Sequence, residues 1–310
     1  MSATTPDAVP GAAAVLRRPR KRTKERVVIG ALLACATISV LTTFGIVLAL
    51  TEGTIEFFVD VSPSEFFGGT EWTPGFRDAS YGVLALVSNT LEVAVFASLF
   101  GLPIGLAAAI FLSEYASEGM RKVLKPMLEL LAGIPTVVFG YFALTWVTPH
   151  LKDVVDVKVF NALAPSIVIG VMIIPLVSSL SEDAMRAVPR ALREGAYGVG
   201  ATKFHVACRI VVPAALSGII ASFILAISRA VGETMVLVIA AGGTPQFAWH
   251  PLEAIQTMAS YIATISQGDT PTGSIEYKSI FAVGMTLFVM TLALNMLAGW
   301  FVRRYRQEYT

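Results

Sequence analysis

Six apolar stretches divide this chain, at about 27–51, 82–112, 124–148, 162–180, 214–242 and 279–302. Crossing a hydrocarbon core as an α-helix takes roughly 20 consecutive apolar residues. Only helices or closed barrels satisfy their backbone hydrogen bonds in lipid. The pattern therefore predicts an all-α, polytopic membrane protein with six transmembrane helices. The second stretch is long for one crossing; Pro103 is expected to bend it, and tilting or projection into the cytosol also absorbs the excess. Gly101 and Gly105 stand there at the GxxxG spacing that lets two helices approach closely.

One apolar stretch carries charge. From Val211 to Gly243 the residues are almost all apolar or small, except Ser228, Arg229, Glu233 and Thr234. An ionised side chain at mid-bilayer costs roughly 2.5–3.5 kcal/mol on insertion scales, so it faces protein or water and usually marks function. Arg229 and Glu233 are four apart, so on a helix they share a face and offset each other's charge. Two readings stay open. The pair is a structural lock between helices, or Arg229 meets an anion crossing the membrane while Glu233 holds its fork in place. A guanidinium grips a phosphate-like anion through two parallel hydrogen bonds. Asn89, Thr90 and Thr136 either line the same polar route or make ordinary interhelical hydrogen bonds.

Composition agrees with a membrane protein. Of 310 residues, 55% are hydrophobic and 15% charged, with mean hydropathy +0.70, against roughly 25% charged in soluble domains. The distribution of Lys and Arg sets an expected orientation. The N-terminal arm, the loops around Arg121–Lys125 and Arg186–Arg209, and the C-terminal tail together hold 18; the alternate loops hold four, Arg77, Lys152, Lys158 and Lys278. By the positive-inside rule both termini are cytoplasmic. Residues 1–26 are expected to form a disordered basic arm and 306–310 a short tail. Val27–Leu50 is too long for a signal-peptide core and lacks a convincing cleavage site, so it reads as a retained span. Cys35 and Cys208 make no disulfide framework. His150, His205 and His250 lack metal-ligand spacing, so no metal site is expected, and nothing points to nucleic acid.

The loops differ in character. Residues 52–81 are acidic and aromatic, and 244–278 carry Trp249 and an amphipathic stretch, Leu252–Ile265. Their aromatics are expected at the membrane interface, with some offering a platform to an external partner. The 181–213 loop opens with Ser181-Glu182-Asp183, which predicts a helix start. Gly195, Gly198 and Gly200 are expected to break that helix. A second short helix, about 201–211, is expected to place Phe204, Ala207 and Cys208 on one side. Two such helices form a cytosolic knob or lie on the lipid.

Spacing within this loop is distinctive. Glu194-Gly195-Ala196, three residues, Gly200, nine residues, then Ile210-Val211-Val212-Pro213 resembles the EAA loop of ABC-importer permeases. Gly195 stands where the family has Ala, and Val212 where it has Leu. Arg229-Ala230-Val231-Gly232-Glu233-Thr234-Met235 resembles the RA-x-GETM segment of phosphate-specific permeases, and Gly133–Gly140 their GIPS-x-x-x-G segment, with Thr136 in place of Ser. Met172-Ile173-Ile174-Pro175 is similar to their M-I-x-P stretch. Glu71–Pro74 and Thr257–Ala263 look more like the PstC-type subunit than PstA.

The resemblance covers about residues 27–305 and implies a type I ABC importer permease domain with a coupling loop at 181–213. It implies a bacterial inner (plasma) membrane location and inorganic phosphate as cargo. Implied partners are a PstA-like second permease, a dimer of PstB-like ATPase subunits and a PstS-like external phosphate-binding protein. Glu194, Gly195, Ala196, Gly200, Phe204 and Pro213 would then dock the ATPase; Arg229, Glu233 and Thr234 would lie on the substrate route. No Gly-Lys dipeptide occurs, so a phosphate-binding GxxxxGK[ST] loop is absent; this chain is expected to bind no cofactor, with ATP-Mg on the partner ATPase. Rival readings are a sulfate or molybdate permease and an ATPase-independent secondary carrier. An intramembrane enzyme is disfavoured, because no nucleophile–base pair, metal cluster or second carboxylate is seen to accompany Glu233.

Overall fold

Proline and glycine decide where these apolar stretches bend. The structure, a computed structural model, describes residues 22–305. Most of the expected arm, residues 1–21, and the 306–310 tail lie outside them. The chain divides into two units, residues 1–49 and 50–310. Among the described residues it consists of helices and loops, with two isolated β-bridges and no strand.

The first helix, α1, is Arg22–Asp60. Arg22 to Arg26 were expected in the disordered arm but belong to this helix, because Arg, Lys and Glu are good helix formers and extend the apolar run backwards. After α2 (Pro63–Gly68), α3 (Leu84–Ile110) continues through Pro103 as one helix and closes in a π-helical turn, Phe111–Tyr115.

The third apolar stretch is broken. α4 (Glu118–Ala132) and the run of α5 (Thr136–Phe142), a π turn and α6 (Thr148–Lys152) meet at 83°. Pro135 has no N–H to continue a helix, and it drives Ile134 before it out of helical geometry. α4 is amphipathic and buries no residue.

α7 (Leu163–Arg186) carries Pro175 within it. Next come α8 (Arg190–Gly198), α9 (Lys203–Val206), a π turn and α10 (Val212–Ala214). A 73° bend just after Pro213 leads into α11 (Leu216–Val231). α12 (Met235–Ala240), α13 (Met258–Gln267) and α14 (Ile275–Tyr305) complete the chain. Among the described residues four continuous helices are long and apolar enough to cross a membrane, or six when each bent pair is taken as one span.

Small residues let the central helices touch. A Cβ on Gly101 would meet the Gly170 carbonyl oxygen of α7 at 2.5 Å, and one on Gly105 would meet Val177 Cβ at 2.7 Å. Around that crossing Val93, Ala97, Phe139, Ala143, Val168, Met172, Val236 and Leu237 form the main apolar core. A second core at the opposite end from α8 is aromatic: Phe57, Phe66, Trp72, Tyr81 and Tyr261 are buried, with Trp72 edge-on to Tyr261 at 5.0 Å. These aromatics were expected at the interface or on a docking platform. They instead hold the end of α1, which runs on to Asp60 where a loop was expected, with α2 and the 69–81 segment onto α13, since large rings gain most by mutual burial.

Candidate functional site

The fifth span stops short of the sequence expectation. α11 ends at Val231; Gly232, Glu233 and Thr234 are not helical, and α12 restarts at Met235. Gly232 closes α11 by donating its N–H to the Ser228 carbonyl at 3.2 Å, and Thr234 Oγ1 donates to the Gly232 carbonyl at 3.2 Å. Ser228 Oγ donates to Asn295 Oδ1 at 3.3 Å, tying the end of α11 to α14.

The break separates the two charges. Arg229 is exposed in the last turn of α11, whereas Glu233 is buried to 8% exposure beyond it. Among the described residues neither forms an ion pair. The expected (i, i+4) pairing needs a continuous helix, and the backbone leaves helical geometry between its members.

The segment 133–140 packs against α12, which follows this break. Gly140 of α5 lies on α12, where an added Cβ would come within 3.1 Å of Val236 Cα. Thr136 is half-buried at the start of α5. Asn89 and Thr90 have another duty. Asn89 Nδ2 donates to the Gln256 carbonyl at 3.1 Å; Thr90 Oγ1 donates to the Leu86 carbonyl and accepts the Met258 N–H at 3.1 Å. Both residues seat the 247–258 segment on α3, the interhelical hydrogen-bonding alternative.

Sequence reasoning missed Glu92, a second carboxylate in a span. It is fully buried in α3, three residues after Asn89. Its charge vanishes in the average hydropathy of a long apolar run, and only a residue-by-residue search for ionisable groups in spans reveals it.

The 181–213 loop is also built differently from expectation. Ser181–Arg186 continues α7 rather than opening a helix. Glu182 is fully buried there and paired with Arg121 and Lys125 of α4, while Lys125 also reaches Asp183 at 3.0 Å. Those partners hold the acidic residues inside an existing helix. Gly195 and Gly198 lie within α8, and open space surrounds both. The chain turns at Gly200, whose φ of +85° is left-handed, a region that suits glycine best. Ala196 is buried beneath α8, and Glu194 is exposed.

Phe204 is 66% exposed while Ala207 is buried, so they do not share a side as expected. Exposed Tyr197, Val199 and Phe204 leave the loop with an apolar surface.

Comparison with known sequences decides the family. The pattern of the binding-protein-dependent transport system inner membrane component family matches residues 101–307, from the Gly101 crossing through α14.

The chain belongs to this family.

Among curated members, it is 35% identical over 274 residues to the probable ABC transporter permease protein YqgH of Bacillus subtilis, covering 87% of this chain and 88% of that one. It is 30% identical over 264 residues to the phosphate transport system permease protein PstC of Xylella fastidiosa, covering 78% and 80%. PstC 1 of Mycobacterium tuberculosis is 31% identical over 277 residues, covering 77% and 81%. Among solved structures, a bacterial alginate ABC transporter chain superposes with a TM-score of 0.64 at 19% identity, over 94% of this chain and 99% of that one. A chain of the MetNI methionine ABC transporter gives 0.54 at 15% identity, over 73% and 95%. At those identities the likeness establishes fold, and it places this family member among ABC-importer permeases in architecture.

Proposed function

We propose that this chain is the PstC-type membrane subunit of an ATP-driven importer that carries inorganic phosphate into the cytoplasm. It pairs with a PstA-like permease, two PstB-like ATPase subunits that bind ATP-Mg, and a PstS-like external phosphate-binding protein. It is a transport subunit rather than an enzyme, sits in the bacterial inner membrane and keeps both termini in the cytoplasm.

The observation that carries this reading is the break after α11. It leaves Arg229 exposed at the end of an apolar helix, without an ion pair among the described residues. A guanidinium in that setting calls for a partner from outside the chain, and an oxyanion fits its bidentate geometry. The structural-lock alternative required Glu233 to neutralise Arg229, and the two do not pair. Glu233 and Thr234 lie in the break, and Gly140 of α5 packs on α12 just beyond it. An ATPase-independent carrier gives no role to the Glu194–Pro213 spacing or to the exposed Phe204.

The test is reconstitution with the three partners and comparison of phosphate with sulfate and molybdate uptake. Phosphate uptake that requires ATP and the binding protein supports the reading. Uptake without the ATPase, or preference for sulfate or molybdate, overturns it.

A further inference from the structure

Glu92 is the least explained polar residue of the bundle. Its side chain is fully buried, and among the described residues no donor makes a hydrogen bond to either carboxylate oxygen. The backbone of His250 approaches the carboxylate from the 247–258 segment without reaching hydrogen-bond geometry. Among the described residues no ion pair includes it. A second orphaned acceptor stands beside it: Asn89 Oδ1 is buried without a donor, while its Nδ2 is engaged by Gln256. Residues three apart on a helix are neighbours.

Three buried acceptor oxygens on one helix face lack one thing, a donor. An isolated carboxylate in an apolar interior is far costlier than any neutral polar group, and such groups neutralise. We propose that Glu92 is a buried proton site, held as the neutral carboxylic acid with its O–H donating to Asn89 Oδ1. One proton then removes the charge and satisfies Asn89. Ser88, Asn89 and Thr90 already hold the covering segment through Phe247, Gln256 and Met258, so the neutral acid completes that seat. On the reading that this bundle conducts an oxyanion, protonation also removes a fixed negative charge that would oppose the cargo.

Infrared difference spectroscopy on the full complex in lipid, wild type against Glu92→Gln, tests the site directly. The expected difference is loss of the carbonyl stretch of a protonated carboxylic acid, shifted in frequency by Asn89→Ala. Glu92→Gln, neutral and still a donor, should keep the thermal midpoint and phosphate uptake of the wild type, while Glu92→Ala should lower the midpoint. If Glu92→Gln fails to insert, Glu92→Met supplies the reference spectrum. Loss of the paired carboxylate stretches instead, as for an ionised side chain solvated by buried water, would overturn the proposal. That readout needs no transport, so it fails or succeeds apart from the phosphate assignment.

Discussion

Arg193 of α8 reaches Glu114 at the end of α3, Nη2 to Oε1 at 3.0 Å, and the same guanidinium donates to the Met185 and Val188 carbonyls at 2.7 Å each. One side chain thus joins the loop helix, the π turn closing α3 and the last turn of α7. Both charges are largely buried, at 16% and 5% side-chain exposure. Removing one partner of a buried pair strands the other, at about 3–5 kcal/mol. Arg193→Gln should therefore lower the thermal unfolding midpoint and uncouple ATP hydrolysis from uptake. Arg193→Gln with Glu114→Gln should recover part of the midpoint, because no charge is left unpaired.

The turn at Gly200 and the helix at Gly195 make opposite demands. Gly200→Ala forces a side chain into a left-handed backbone and should destabilise by about 1 kcal/mol. Gly195→Ala adds a methyl in open space within a helix, and should be neutral or stabilising by up to about 1 kcal/mol. Thermal unfolding of the two variants checks both signs. The second restores the residue expected at this position in the EAA pattern.

Phe204 is the most exposed aromatic of the 181–213 loop. If it enters an ATPase groove, Phe204→Asp buries an unpaired charge there, at a cost on the order of a few kcal/mol. The ATPase should no longer co-purify, while membrane insertion survives. Normal co-purification would remove Phe204 from the docking surface.

Orientation is tested by thiol labelling after Cys35 and Cys208 are replaced. Cysteine at Thr272 should react with an impermeant reagent added outside intact spheroplasts, and cysteine at Gly119 should not. The reverse pattern would invert the topology and move the 181–213 loop away from any cytosolic ATPase.

Hydropathy located the apolar stretches, because lipid demands continuous apolar surface and length follows from rise per residue. The EAA spacing similarly located the loop, since Gly200 must be glycine for a backbone reason. Bends were less legible. A hydropathy window averages across Gly232, so the fifth stretch reads as continuous while the backbone turns. The Arg229–Glu233 pairing failed for that reason: (i, i+4) geometry presumes the helix whose end lies between them. Asn89 and Thr90 were legible as polar residues in a span, but their partners, Gln256 and Met258, lie more than 160 positions away. Only the fold brings them together.

Phosphate uptake by Arg229 variants in proteoliposomes, with assembly checked in parallel, tests the central claim most directly. Arg229→Lys keeps the charge but loses the bidentate fork, and should transport poorly. Arg229→Gln should be inactive. Arg229→Gln with Glu233→Gln, neutral at both positions, should assemble and remain inactive, because no cation is left to meet the anion. Substantial uptake by that double variant would show that Arg229 serves the structure alone, and would contradict its assignment to the phosphate route.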